Sequence, residues 1–278
     1  QQFQVGADAN QTVSITSISS ARTSALGASF SATTTGTAVN TTAISAGNVI
    51  INGVAIVDST SDGVSTASAT ASAKAKAAAI NATSGTGVTA TANATNVAGT
   101  SMVGAALTGT ITINGVTTAS TTVSADLSAS RIAITAAINA ISAATGVVAT
   151  NTGADATGVT LAAADGRNIV HSFTTLTAAA TGVGAAATTL GTLTLTTTGN
   201  TGITTTGTAA VIGSPANATS TQTGTALSVI DISGVSGANT AISSVDAALT
   251  TVNSSRASLG AYQNRFASVV TSLQTTSE

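Results

Sequence analysis

The sequence predicts an α+β chain, and three observations carry that prediction. Stretches rich in Thr, Val and Gly alternate as strands do; Ala-rich stretches without breakers read as short helices; and the C-terminal part holds an apolar heptad over many turns. The fold class is therefore a β-rich body with short helices, followed by a long amphipathic α-helix.

The elements follow in order. In residues 1–15, Phe3 and Val5 alternate, as do Val13 and Ile15, around turn chemistry from Gly6 to Asn10. This predicts a β-hairpin with a longer loop. Residues 28 to about 222 form the Thr/Ala/Gly-rich body, which contains an internal repeat. Ile51-Asn52-Gly53-Val54 recurs as Ile113-Asn114-Gly115-Val116, Ala79-Ile80-Asn81-Ala82 as Ala137-Ile138-Asn139-Ala140, and Gly87-Val88 as Gly146-Val147. Order and spacing agree, so this is a duplicated unit near 50–92 and 112–169. Asn-Gly between apolar residues signals a hairpin turn. Ser68–Ala82 and Leu127–Ala144 read as helices, the second with Ile134, Ile138 and Ile141 on one face. Each repeat is then hairpin, helix, strand. In residues 173–222, Leu193 and Leu195 alternate with threonines as in a half-buried strand, and the chain's only proline is Pro215.

Beyond residue 240 the pattern changes. Ile242, Val245, Leu249, Val252, Leu259, Phe266, Val270 and Leu273 fall at alternating spacings of three and four, and Arg256 and Gln263 fill the two positions the series skips. Arg265 flanks this seam. The pattern is a heptad with two polar positions, which cost stability and set register. Ser236 or Asn239 can cap its start, and at 1.5 Å per residue it runs roughly 50 Å. One apolar stripe on so long a helix requires partner helices. No comparable stripe occurs elsewhere in the sequence, so the partners are expected outside this chain. The sequence opens within a strand pattern and closes within a helical one, and it is read as a fragment.

Composition excludes several functions. Charged residues are 6% and aromatic residues 2% of the chain, and the net charge is −2. With Lys74 and Lys76 as the only lysines, no basic patch supports nucleic-acid binding. The chain has no cysteine, hence no disulfide framework or thiolate metal site. No apolar run is long enough to span a membrane, and no signal peptide is visible. A core of small residues gains less per residue than one of Leu and Phe, so stability must come from many strand pairings.

Candidate sites are few. His171 is the only histidine and sits in a strand pattern, where packing is the plainer reading than catalysis or metal ligation. Asp58 and Asp62 flank a Ser/Thr turn without the full pattern of a calcium loop. Asp165-Gly166-Arg167 reads as a turn more readily than a recognition tip, and Gly182-Val183-Gly184 lacks the third glycine of a phosphate loop. Lys74 and Lys76, two apart on the first helix, are expected to solubilise it. Asn81-Ala82-Thr83 and Asn217-Ala218-Thr219 fit the Asn-x-Ser/Thr pattern, which a chain this rich in Ser and Thr produces by chance. The reading is of a chain with no active site, no metal and no cofactor.

Several segments resemble bacterial flagellin. Phe3-Gln4-Val5-Gly6-Ala7-Asp8-Ala9-Asn10-Gln11-Thr12 resembles the hairpin of its inner rod domain. Leu227-Ser228-Val229-Ile230-Asp231-Ile232 resembles the strand returning into that domain. Ala241-Ile242 through Leu249, then Arg256 through Phe266, resembles the C-terminal rod helix, most specifically in Leu259-Gly260-Ala261-Tyr262-Gln263-Asn264-Arg265-Phe266. The Ile-Asn-Gly-Val repeats resemble those of flagellin and hook-associated outer domains, and Asp165-Gly166-Arg167-Asn168-Ile169 resembles the end of that repeat. The resemblance implies a β-rich outer, surface-exposed domain at 28–222, inserted into a rod domain formed by 1–27 and 223–278. The family's terminal helices and N-terminal rod helices are absent from this sequence. It further implies a secreted structural subunit of the extracellular bacterial flagellar filament, supporting motility. Its partners are other flagellin subunits in a helical homopolymer, packed through Ile242, Val245, Leu249, Val252, Arg256, Leu259, Gln263, Arg265, Phe266, Val270 and Leu273. Two alternatives stand beside this reading. One is a cell-surface binding module for a glycan or host ligand, which near-absence of aromatic platforms disfavours. The other is a hook-associated junction or cap protein.

Overall fold

The structure is a computed structural model that describes residues 2–4, 12–14, 21–24, 26–45, 47–198, 201–223 and 225–277. Helices and antiparallel strands are both present, so the chain is α+β. In chain order the elements are β1 (Gln2–Gln4), β2 (Thr12–Ser14), β3 (Ser29–Ala38), β4 (Val49–Ile51), β5 (Val54–Ala55), α1 (Ala73–Ala82), β6 (Val88–Ala92), β7 (Thr95–Val97), β8 (Leu107–Gly109), β9 (Ile111–Ile113), β10 (Val116–Thr117) and β11 (Thr121–Val123). There follow α2 (Leu127–Ala140), α3 (Ser142–Thr145), β12 (Val148–Asn151), β13 (Val159–Ala163), β14 (Ile169–Phe173), α4 (Ala178–Thr181), β15 (Ala187–Thr189), β16 (Thr192–Thr198), β17 (Thr205–Gly207), β18 (Thr221–Thr223) and α5 (Val235–Ser277). The chain divides into two compact units: Gln1–Ser31 with Thr221–Glu278, and Ala32–Ser220.

The larger unit, Ala32–Ser220, contains the duplicated sequence, and its two copies share one topology. In the first copy, β3, β16 and β6 form one sheet in that order, and β17, β4 and β5 form another. In the second copy, β7, β13 and β12 form the equivalent sheet, and β14, β9 and β10 the other. The second copy carries an extra two-stranded pair, β8 with β11, and β15 at the edge of β14. Each copy has its own core. Ile51, Ile80, Val88, Leu193 and Leu195 lie in one cluster, and Ile113, Ile138, Val147, Val159 and Leu161 in the other.

The copies are nested in the chain. β6 and β16 are hydrogen-bonded neighbours, with Leu193 opposite Ala92 and Leu195 opposite Ala90. The whole second copy lies between these two strands in the chain. The corresponding strands of the second copy, β12 and β13, are joined by a short loop, with Val159 opposite Asn151 and Leu161 opposite Ala149. Residues 192–207 therefore complete the first copy. The alternation of Leu193 and Leu195 with threonines is a strand with both leucines buried and Thr194 and Thr196 on its other face.

Local chemistry explains the shared elements. Asn52 and Gly53 have φ of 51° and 79°, and Asn114 and Gly115 have 46° and 79°. Both central residues at positive φ give the type I′ turn, whose twist matches the flanking strands. α1 begins at Ala73, later than the helix expected from Ser68, because Ser72 takes extended dihedrals and its side chain accepts from Ala75 N–H at 3.0 Å. α2 starts after Asp126, which caps Ala129 N–H. The helix expected to reach Ala144 breaks at Ile141 and resumes as α3, stopped by Gly146 in the left-handed conformation. Ile134 and Ile138 are fully buried, and Ile141 packs half-buried beside them.

In the smaller unit, β1 pairs antiparallel with β2, setting Phe3 opposite Val13, as the hairpin pattern predicted. The turn expected at Gly6–Asn10 lies outside the described residues. The strand expected at Leu227–Ile232 is not formed. Leu227–Val229 is a 3₁₀ turn instead, whose Leu227 N–H donates to Leu26 O at 2.9 Å and Ser228 N–H to Thr23 O at 3.2 Å. The facing segment is itself a turn, closed by Leu26 N–H to Arg22 O, so it offers no ladder for a strand. Val229 and Ile232 are left exposed.

Candidate functional site

α5 is the candidate assembly element. It starts at Val235, so Ser236 and Asn239 lie inside it and do not cap it; Ala238 N–H already donates to Gly234 O. It spans 43 residues, about 65 Å at 1.5 Å per residue. Ser and Thr are indifferent helix formers because their hydroxyls compete for backbone groups. Here the hydroxyls are absorbed within the helix: Thr240 donates to Ser236 O, Ser243 to Asn239 O, Thr251 to Ala247 O and Ser255 to Thr251 O.

The heptad residues lie along this one helix, and most face outward. Ile242 is 64% exposed, Leu249 55% and Val270 52%, and Val245 and Leu259 are also exposed. Val252 and Phe266 are half-buried, while Arg256, Gln263 and Arg265 are exposed. Leu273 lies in the helix, with its side chain outside the described set. The helix residues buried within the unit are Ser244 and Ala248, each one position before an exposed stripe residue. Gly27 makes that approach possible: a Cβ there would lie 3.0 Å from Thr225 O and 3.1 Å from Ser244 O. A shallow groove beside Gly27 is lined by Ser236, Asn239, Thr240, Ser243, Ser244 and Ala247, and it has no ionisable group.

The larger unit holds the other residues singled out by sequence. His171, in β14, is buried, and its Nε2–H donates to Gly184 O at 2.9 Å. Its ring stands edge-on to Phe173 at 5.7 Å. Asp58 is exposed, whereas Asp62 organises a turn. Val64 N–H and Ser65 N–H donate to its Oδ1, and the Ser65 and Ser72 hydroxyls to its Oδ2, each at 2.6 Å. Burial works to raise its pKa, and these four hydrogen bonds outweigh it, holding the carboxyl below the usual range. No group of three His, Cys, Asp or Glu side chains could hold a metal ion among the described residues.

Asp165 and Arg167 form a turn that joins the two copies. Arg167 donates to Asp165 from Nε and Nη2, each at 2.9 Å, and Lys74 donates to the same carboxylate at 2.9 Å. The Arg167 bonds foremost, with Lys74, hold the Asp165 carboxyl well below its ordinary range despite partial burial. Arg167 Nη1 continues to Thr145 O, and Asn168 donates to Ala67 O and Ser68 O. Lys74 is thus paired with Asp165 and does not merely solubilise α1. Lys76 differs further from that expectation: it is fully buried, with Nζ 2.7 Å from both Asn40 O and Val211 O. Gly182 is a left-handed helix terminus, not a ligand loop.

Sequence reasoning located the repeated asparagines without their purpose. Asn52 N–H donates to Thr204 O while its Oδ1 accepts from Thr204 N–H; Asn114 makes the same pair with Val170. Their Nδ2 groups donate to Thr86 O and Thr145 O. Asn81 clamps both backbone groups of Ala90, and Asn139 those of Ala149. These clamps occupy the outer edges of β6 and β12, which would otherwise be free to pair with another strand. Their recurrence at matching places was the one signal of them.

A duplicated β-rich body and a long helix with an exposed heptad stripe are features suited to an assembly-type protein. The family likeness follows from the helix. Residues 242–278 match the model of the bacterial flagellin C-terminal helical region, which supports a flagellin-type filament subunit. Flagellin is a structural family that self-assembles into extracellular filaments. No curated protein matches the chain.

Proposed function

We propose that this chain belongs to a flagellar filament subunit that supports swimming motility. Residues 28–222 are its outer, surface-exposed domain, and residues 1–27 and 223–278 belong to its rod domain. The observation that supports this most is the flagellin match falling on a helix whose apolar stripe is exposed. Fully burying such a side chain stabilises by about 1.5–3 kcal/mol, and with 40–64% of each exposed stripe residue uncovered, roughly half of that is available on assembly. Ile242, Val245, Leu249, Val252, Leu259, Phe266, Val270 and Leu273 pack against rod helices or neighbouring subunits. Arg256 and Gln263, with Arg265 beside them, fix the register by hydrogen bonding across the seam. Contacts between unlike surfaces of successive subunits build an open helical filament.

Immunogold microscopy on intact cells, with antibody against residues 30–220, tests this reading. Label along whole filaments is the expected result. Label confined to the filament base or tip would point to a junction or cap protein, and label on the cell body alone to a surface-binding module. Within the helix, Arg256→Leu in the full-length subunit should alter filament shape or stability. Unchanged filaments would remove Arg256 from the assembly role.

A further inference from the structure

Lys76 is a buried ammonium with no carboxylate within ion-pair distance among the described residues. Its partners are two carbonyls: Asn40 O, just after β3, and Val211 O, in the 3₁₀ turn Ala209–Ile212. The chain enters the larger unit along β3 and leaves it after that turn. No residue of 26–57 or of 172–230 is charged, and none of 77–125 is either, so no ionisable side chain of β3, β6, β16 or the 3₁₀ turn faces Lys76. On α1 the other charge is Lys74, which pairs with Asp165.

The second copy supplies an internal control. Ile134 stands five residues before Asn139, as Lys76 stands five before Asn81, and both are fully buried. The repeat therefore folds without a cation there. Thr37-Ala38-Val39-Asn40 corresponds to Thr100-Ser101-Met102-Val103, and Thr208–Gly213 to Thr177–Gly182. Thr37 N–H donates to Gly213 O and Thr100 N–H to Gly182 O, so this contact is common to both. The next one is not. In the second copy Val103 N–H donates directly to Ala179 O at 2.9 Å. The corresponding bond from Asn40 N–H to Ala210 O is missing from the first copy, and Lys76 bridges the same two segments instead.

We propose that Lys76 is a tether that replaces this missing backbone bond and binds the entering and leaving segments of the larger unit into one cooperative block with α1. A buried charge costs stability unless it is hydrogen-bonded, so its two carbonyls hold Lys76 as firmly as it holds them.

Amide hydrogen exchange on the whole chain tests the tether. In the unaltered protein, protected amides of residues 39–48 and 208–214 should open with the same free energy as those of α1. Lys76→Ile, which copies the second copy's residue, should lower their protection by about tenfold, as for loss of a charge-assisted hydrogen bond, while α2 amides keep theirs. Protection within about twofold of the unaltered protein would overturn the proposal. So would a uniform loss across the unit, or segments that already exchange far faster than α1 before any substitution; that last measurement stands even if Lys76→Ile does not fold.

Discussion

The two nested copies of the larger unit reach one topology with different interiors. Their polar clamps are the same, residue for residue: Asn52 with Asn114, and Asn81 with Asn139. Some buried positions are also identical, as in Ile51 with Ile113, Ile80 with Ile138 and Leu195 with Leu161, whereas others agree only in burial. Val49 answers Ile111, Leu193 answers Val159, Thr197 answers Ala163, and Lys76 answers Ile134, all buried. A backbone amide or carbonyl needs a partner in one geometry, which few side chains supply. A core position needs only roughly the right volume, which many do. The asparagine clamps are therefore kept without exception, while the core keeps some residues, such as Ile80 and Ile138, and exchanges others of suitable volume.

The comparison can be broken most severely where Lys76 answers Ile134. Ile134→Lys would put an ammonium into the second core, where Val103 and Ala179 already bond to each other. An unpaired buried charge should cost about 4 kcal/mol or unfold that copy, read by urea denaturation. Indifference would mean the two cores are more alike than their hydrogen bonds show.

Next in size is the pH dependence of the first copy. Burial pushes Lys76 down to about 8 from 10.5. Between those values the unfolded chain keeps the proton and the folded one does not, so stability rises with pH across that window. The rise should reach roughly 3 kcal/mol at most, be absent below pH 7, and vanish in Lys76→Ile. A flat profile in the unaltered protein would place Lys76 in contact with water.

Asn114→Ala should cost about 2 kcal/mol, since it orphans Val170 N–H, removes one of the two donors to Thr145 O and forces alanine to positive φ. Asn52→Ala, at a less buried site, should cost about half as much, and thermal unfolding separates the two. The smallest effect is expected at the tip of the second copy. Its loop 152–158 occupies the place where the first copy carries the whole second copy. A flexible insertion after Gly153 that doubles the loop should cost only about 0.6 kcal/mol. A loss of several kcal/mol would show that the Asp155 contacts to Arg131 and Met102 N–H are essential.

By itself the sequence determined the local grammar of this protein. The Asn-Gly hairpins, the two Ala-rich helices, the Leu193/Leu195 strand and the α5 heptad are all visible, because turn geometry and periodicity act over a few residues. The heptad and the Leu-Gly-Ala-Tyr-Gln-Asn-Arg-Phe run also carried the flagellin resemblance into the region that the family model matches. Tertiary structure decided what joins distant residues. That β6 pairs with β16 across an inserted copy, that Lys76 lies buried against two carbonyls, and that Leu227–Val229 turns instead of pairing could not be read from spacing. Each depends on which backbone groups arrive opposite one another after the chain has closed its long loops, and only the assembled fold sets that.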